Sequence, residues 1–149
     1  MVNAVVKQYS EADRAYLAGF LDADGAIMAL IEKHSEKKFG HRVRVCLKIT
    51  QRDRDVLDWF AKTFKAGYIR KNRSVYDWEI KGQSDVSCVL DIIYPYIKAK
   101  KRQMLIAQEI LKIVILSKTD LQRKARLADS LSRFNVRSKN RRLNFASMI

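Results

Sequence analysis

The 149-residue sequence predicts an α+β fold of order αββαββα with further helices, whose four strands form an antiparallel sheet in two hairpins. Three observations carry this. Residues 42–50, RVRVCLKIT, alternate basic and apolar side chains with period two. A second alternating pair of stretches, 68–72 and 75–81, is separated by a polar turn. The segments around these hairpins place their apolar residues at helical spacing.

The first helix starts at Ser10, an N-cap followed by Glu11 and Asp13 in the first turn. Tyr16, Leu17, Phe20 and Leu21 continue at helical spacing, and Asp24-Gly25 ends the helix, with Gly25 free to take a positive φ. A strand over 26–33, the polar turn HSEKKFG and the strand over 42–50 form the first hairpin. A helix over about 53–64 sets Val56, Leu57, Phe60 and Phe64 on one side and ends at Ala66-Gly67. In the second hairpin, around Asn72-Arg73-Ser74, Tyr76, Trp78 and Ile80 face one way, and Val75, Asp77, Glu79 and Lys81 the other. Helices are expected over about 84–94, broken at Pro95, then 99–117 and 120–134, before a basic tail over about 135–149. With no linker and no internal repeat, residues 1–149 read as a single domain.

Composition narrows the partners. Hydrophobic residues make up 48%, with five Gly and one Pro, so the chain can bury a core and is not disordered. The formal net charge is +14, which points first to nucleic acid and second to an anionic membrane surface. Residues 1–97 hold 16 basic and 13 acidic side chains, whereas residues 98–149 hold 14 and three. A mixed-charge body with a basic last third separates chemistry and readout from phosphate gripping. Cys46 and Cys88 are isolated and read as reduced thiols. MVNAVVKQYS lacks a signal-peptide core and no apolar run could cross a bilayer, so no membrane partner is expected. The expected location is the cytoplasm or the interior of an organelle. His34 and His41 flank a turn and are not expected to bind metal.

The first helix ends in Leu17-Ala18-Gly19-Phe20-Leu21-Asp22-Ala23-Asp24-Gly25. This nonapeptide resembles the signature of the LAGLIDADG homing endonucleases, with Phe20 for Leu and Leu21 for Ile. Ala15, Ala18 and Gly19 form a groove of small residues that admits a second helix at close range. Asp24 would then project beside its symmetry mate, and two close carboxylates are relieved by divalent cations. Asp22 belongs either to that helix pair or to the helix's own termination. One copy of the motif implies the homodimeric branch of the family, and the element order matches its DNA-binding saddle.

Ile49-Thr50-Gln51-Arg52 and Pro95-Tyr96-Ile97-Lys98-Ala99-Lys100 resemble the small chloroplast intron-encoded members. That resemblance implies catalytic support from Gln51 and Lys100, with Asp24 and the Ala23 carbonyl holding Mg²⁺ or Mn²⁺. Gln51 is also placed to cap the helix near Asp53, and Lys100 stands among Lys98, Lys101 and Arg102. Ser138, Lys139 and Arg142 in the tail resemble a backbone-clamping loop of the same group. The implied activity is a double-strand cut in a long, near-palindromic DNA target, with one phosphodiester hydrolysed per strand and short 3′ overhangs. An RNA-binding intron maturase and a non-catalytic DNA-binding regulator are the alternatives on the same scaffold.

Strand parity assigns the base readers. A two-stranded ribbon fits the major groove, where Arg favours guanine, Asn adenine and carboxylates cytosine. The outward set is Met28, Leu30, Glu32 and His34, then Arg42, Arg44 and Lys48, then Arg70 and Asn72, then Asp77 and Glu79. Met28 and Leu30 could offer apolar contact to thymine methyls.

Overall fold

A computed structural model describes residues 8–135, 146 and 149. The elements are α1 (Glu11–Asp24), β1 (Gly25–Lys33), β2 (His41–Gln51), α2 (Asp55–Phe64), β3 (Tyr68–Asn72), β4 (Val75–Ile80), α3 (Gln83–Ile93), α4 (Lys101–Lys112) and α5 (Lys118–Asn135). The four strands form one antiparallel sheet in the order β1-β2-β4-β3, so β4 is an interior strand. The chain divides into two compact units, and β2 has residues in both. Among the described residues no helix is long and apolar enough to cross a membrane.

The first unit comprises residues up to Ala26 and Cys46–Lys101. Ser10 caps α1 by accepting from the Asp13 backbone N–H at 3.1 Å. Leu17, Leu21, Leu47, Ile49, Trp78, Ile80 and Val89 line a residual void of about 10 Å³, so the first unit's core is closely packed. Phe60 stacks on Trp78 at 5.3 Å with the rings 10° apart, and the indole N–H donates to the Ala66 carbonyl at 2.9 Å.

Two glycines are demanded for different reasons. Gly67 has φ +75°, and a Cβ there would lie 2.5 Å from the Glu79 carbonyl oxygen. Gly25, expected in the left-handed region, is extended at φ −95° and ψ 175°. Its requirement is steric, since β1 leaves α1 so abruptly that a Cβ would lie 2.4 Å from the Leu21 Cδ1 atom. The Gly25 N–H closes the helix on the Leu21 carbonyl.

The second unit comprises Ile27–Val45 and the chain from Arg102. Its buried residues include Ile27, Ala29, Val43, Val45, Met104, Ala107, Ile110, Leu121, Ala125, Ala128 and Leu131. The Asn135 amide donates to the Ile27 carbonyl at 2.6 Å, tying the end of α5 to β1. The β1–β2 turn closes through His34 N–H to the Gly40 carbonyl at 2.9 Å.

Helix α4 ends at Lys112, five residues before the expected 117. The Ile113-Val114-Ile115 run is β-branched and resists helix, and Val114 and Leu116 are 72% and 77% exposed. Asp120 supplies the competing hydrogen bonds, accepting from the Leu116 and Ser117 backbone N–H groups at 2.9 Å each. These bonds hold its carboxyl below the ordinary aspartate range, and Ser117 starts α5 as its cap.

Gly67→Ala is expected to destabilise the protein by about 2 kcal/mol or more, from a positive φ and a backbone clash together. Urea unfolding of the variant against wild type measures this, and an unchanged midpoint contradicts it.

Candidate functional site

Helix α1 turns Leu17, Ala18 and Leu21 into the first unit's core. The opposite face, Ala12, Ala15, Tyr16, Gly19 and Ala23, is exposed at helical spacing. A Cβ on Gly19 would meet nothing within 4 Å, so packing within the chain does not require glycine there. Ala15 and Gly19 therefore lie on the open face expected for a second helix. Ala18 does not: it is 0% exposed, because one step of about 100° along a helix turns its neighbour's open face into the buried one. Asp22 also departs from the interface expectation. Its carboxylate accepts the backbone N–H groups of Lys98 (2.7 Å), Ala99 (3.2 Å) and Lys100 (3.0 Å).

Asp24 is the last residue of α1 and is exposed. The Gln51 Nε2 donates to its Oδ2 at 3.1 Å. Gln51 ends β2, where it pairs with Tyr76 of β4, and it does not cap α2. Asp53 serves the start of that helix instead, accepting from the Asp55 N–H at 2.9 Å. Among the clustered lysines, Lys100 reaches the end of α1, its Nζ donating to the Asp22 carbonyl at 2.6 Å. Lys101 turns to Tyr94, lying 3.7 Å from the ring centroid and 3.3 Å from its carbonyl oxygen. The structure thus brings Asp24, Gln51 and Lys100 to one helix end, with Ala23 exposed between Asp22 and Asp24. Among the described residues no group of three His, Cys, Asp or Glu could hold a metal ion. Asp24 is an exposed oxygen-donor carboxylate at this helix end, which suits a hard divalent cation completed by other ligands.

In the second unit, Met28, Leu30 and Glu32 alternate with the buried Ile27 and Ala29, and Arg42 and Arg44 with the buried Val43 and Val45. Glu32 is not open as an acceptor. Its oxygens bind Arg42 Nε and Arg44 Nη2, each at 2.7 Å. Desolvation raises the Glu32 pKa, but hydrogen bonds and charge from both arginines outweigh it and leave the value lowered. His34 sits in the turn half-buried.

In the first unit, the register lays out two rows across three strands. Thr50, Asp77 and Arg70 form one, and Lys48, Glu79 and Tyr68 the other. Arg70 and Asn72 are exposed and Lys48 half-buried, whereas Asp77 is 0% and Glu79 4% exposed. This corrects the reading of both carboxylates as open cytosine acceptors. They occupy the expected face, but β4 is interior and side chains from both neighbouring strands close over them. Asp77 accepts from Thr50 Oγ1 and from Asn72 Nδ2 at 3.2 Å, with Arg70 Nε at 3.7 Å. Glu79 accepts from the Tyr68 hydroxyl at 2.8 Å and faces Arg70 Nη2 at 3.4 Å and Lys81 Nζ at 3.5 Å. The Tyr68 hydroxyl, followed by the Glu79 charge, raises the Lys81 pKa. Thr50 and Tyr68 complete these rows beyond the residues expected on this face, and they share the parity of Lys48 and Arg70 in the sequence. Ser138, Lys139 and Arg142 lie outside the described residues.

A carboxylate at the end of a helix whose outer face is small and open, with a glutamine at the end of a neighbouring strand bonded to it, defines a class of α+β scaffold with its polar site at a helix terminus. The family described as LAGLIDADG endonuclease matches residues 17–111, and this chain belongs to it. The chain is 32% identical over 109 residues to DNA endonuclease I-CreI of Chlamydomonas reinhardtii, covering 72% of this chain and 65% of that protein. It is 32% identical over 102 residues to DNA endonuclease I-CvuI of Chlorella vulgaris, covering 66% of this chain and 63% of that protein. The matched stretch thus spans somewhat under two thirds of either relative. A crystal structure of I-CvuI with an I-CreI target and Mg superposes with TM-score 0.82 at 28% identity, over 92% of this chain and 89% of that one. An archaeal intron-encoded endonuclease, I-Vdi141I with DNA, shares the fold at TM-score 0.79 and 22% identity, over 91% of this chain and 92% of that one.

Asp77→Ala is expected to cost about 2 kcal/mol by leaving the donors on Thr50 and Asn72 without their acceptor. Chemical denaturation reads this, and a loss near zero would show that the row is decorative. The Glu32 contribution to stability is fully present above its unfolded pKa and is lost as pH falls through its lowered folded value. Carboxyl NMR should place the Glu32 midpoint below 4.5, and removing Arg42 and Arg44 together should raise it.

Proposed function

We propose that the protein is a site-specific, divalent-metal-dependent endodeoxyribonuclease that acts as a homodimer on a long, near-palindromic duplex. The observation that carries this is the convergence of Gln51 and Lys100 on the end of α1 that bears Asp24. Two relatives named DNA endonucleases support the activity, and the I-CvuI structures with DNA and Mg or Ca support the metal class. The exposed stripe of Ala12, Ala15, Gly19 and Ala23 supports close pairing with a second α1. Such a pair would bring two copies of Asp24 together and complete a ligand set that the described residues of one chain do not form.

Hydrolysis of a phosphodiester requires a water in line with the departing 3′ oxygen and relief of charge on the phosphate. Asp24 and the Ala23 carbonyl would hold Mg²⁺ or Mn²⁺, hard cations that suit oxygen donors. Bound there, the ion supplies Lewis-acid stabilisation of the phosphate and of the leaving oxygen. Gln51 spends its Nε2 on Asp24, which leaves its carbonyl oxygen to orient the attacking water. Lys100 contributes a cation near the scissile phosphate, fixed by its bond to the Asp22 carbonyl. Arg42, Arg44, Lys48, Arg70 and Asn72 present donors suited to base edges in the major groove. Met28 and Leu30 present apolar surface suited to thymine methyls, and Ser138, Lys139 and Arg142 suit the phosphate backbone.

Incubation with a randomised duplex library and Mg²⁺, followed by sequencing of cut ends, should recover one near-palindromic site with short 3′ overhangs. Chelation should abolish cutting, and re-added Mg²⁺ should restore it. Asp24→Asn should lower cleavage by about a hundredfold or more while duplex binding persists. An RNA-binding maturase or a DNA-binding regulator predicts no cut ends from any sequence.

A further inference from the structure

The last turn of α1 carries Asp22 and Asp24 but no basic residue. That is an unfavourable place for acids, because the helix dipole already puts partial negative charge there. Asp24 has a proposed role that explains its position. Asp22 requires another.

Its surroundings supply one. Three consecutive backbone N–H groups, from Lys98, Ala99 and Lys100, converge on its two carboxylate oxygens at 2.7, 3.2 and 3.0 Å. Successive N–H groups aimed at one anion form a nest, which stabilises a carboxylate far better than a neutral acceptor. The exchange is reciprocal: the Lys100 Nζ returns to the Asp22 backbone carbonyl at 2.6 Å. One residue of α1 thus holds the 98–100 backbone with its side chain and the Lys100 side chain with its backbone. The ammonium also supplies the cation that the end of α1 lacks.

Resting on the nuclease reading above, we infer that Asp22 is a positioning residue that clamps segment 98–100 and fixes the Lys100 ammonium at the helix end bearing Asp24. The second acid of the DAD triplet therefore does the chemistry, while the first aims a lysine from 78 residues further along the chain. Neither carboxylate substitutes for the other, because Asp22 is used up by backbone donors and Asp24 is exposed.

The test uses Asp22→Asn, which keeps the shape but replaces one of the two accepting oxygens with an NH₂, so at least one of the three N–H groups faces a donor. Amide hydrogen exchange of the intact protein reads the clamp without any need for cleavage. Lys98, Ala99 and Lys100 should exchange about tenfold faster in the variant, with the α2 and β4 amides unchanged. Single-turnover cleavage of the target found by the library should fall about tenfold or more, with DNA affinity and dimer mass retained. In a Lys100→Met background, adding Asp22→Asn should lower the cleavage rate no further, since both changes remove the same cation.

A purely structural Asp22 would lower the melting temperature but leave the rate per folded dimer intact. An Asp22 that acts independently of Lys100 would instead give additive losses in the double variant, and either result overturns the inference. Unchanged exchange at 98–100 overturns it as well. If wild type cuts no duplex while exchange accelerates as stated, the proposed activity falls and the clamp stands.

Discussion

The constraint on which the rest depends is the accumulation of negative charge at the end of α1. A helix C-terminus, two carboxylates and no local cation form an arrangement that α1 cannot sustain by itself. Every group that answers it comes from elsewhere in the chain. Gln51 arrives at the end of β2, and the N–H groups of 98–100 and the Lys100 ammonium arrive from the segment after α3. Gly25 permits this by letting β1 depart immediately, against Leu21, so that no loop covers the helix end. The site is an electrostatic problem distributed over three elements, and the fold of the first unit brings its answers together.

A similar balance governs the polar face of the sheet. Glu32, Asp77 and Glu79 each stand among cations or donors that hold both of their oxygens. Burying a carboxylate is costly unless it is paired and hydrogen-bonded, and Asp77 and Glu79 meet that requirement with partners from β2, from β3 and from Lys81 just after β4. Arginines held this way lose less freedom when they bind than free ones do. Acidic residues on this face shape the donors beside them; they do not act as separate acceptors.

Much of this was legible in the sequence, because period-two and helical spacing are local signals. The strands, the parity of Arg42, Arg44, Lys48 and Arg70, and the end of α1 at Asp24 all follow from it. Other features depend on neighbours that no local pattern names. Strand parity places Asp77 and Glu79 on the correct face, but their burial follows from β4 being interior, a consequence of strand order. Ala18 resembles Ala15 and Gly19 in size, yet its rotation about the helix puts it inside. Helix α4 stops at Lys112, and Asp120 takes the Leu116 and Ser117 N–H groups that a helix reaching 117 would use, a competition invisible in apolar spacing. The bond from Lys100 to Asp22 spans 78 residues, and only the fold selects that lysine from its cluster.

The net charge of +14 acquires a different meaning once these pairings are known. Unpaired surface lysines and arginines attract any polyanion, and phosphate contacts carry no sequence information. A cation fixed by a carboxylate gives up part of that general attraction in return for a defined direction. Arg42 and Arg44 around Glu32, and Arg70 between Asp77 and Glu79, are of this second kind. Glu32, Asp77 and Glu79 lie where direction matters, while the last third has three acids against 14 bases. On the proposed reading, that division separates discrimination from adhesion: the sheet sets where the protein stops, and the basic excess sets how firmly it is held.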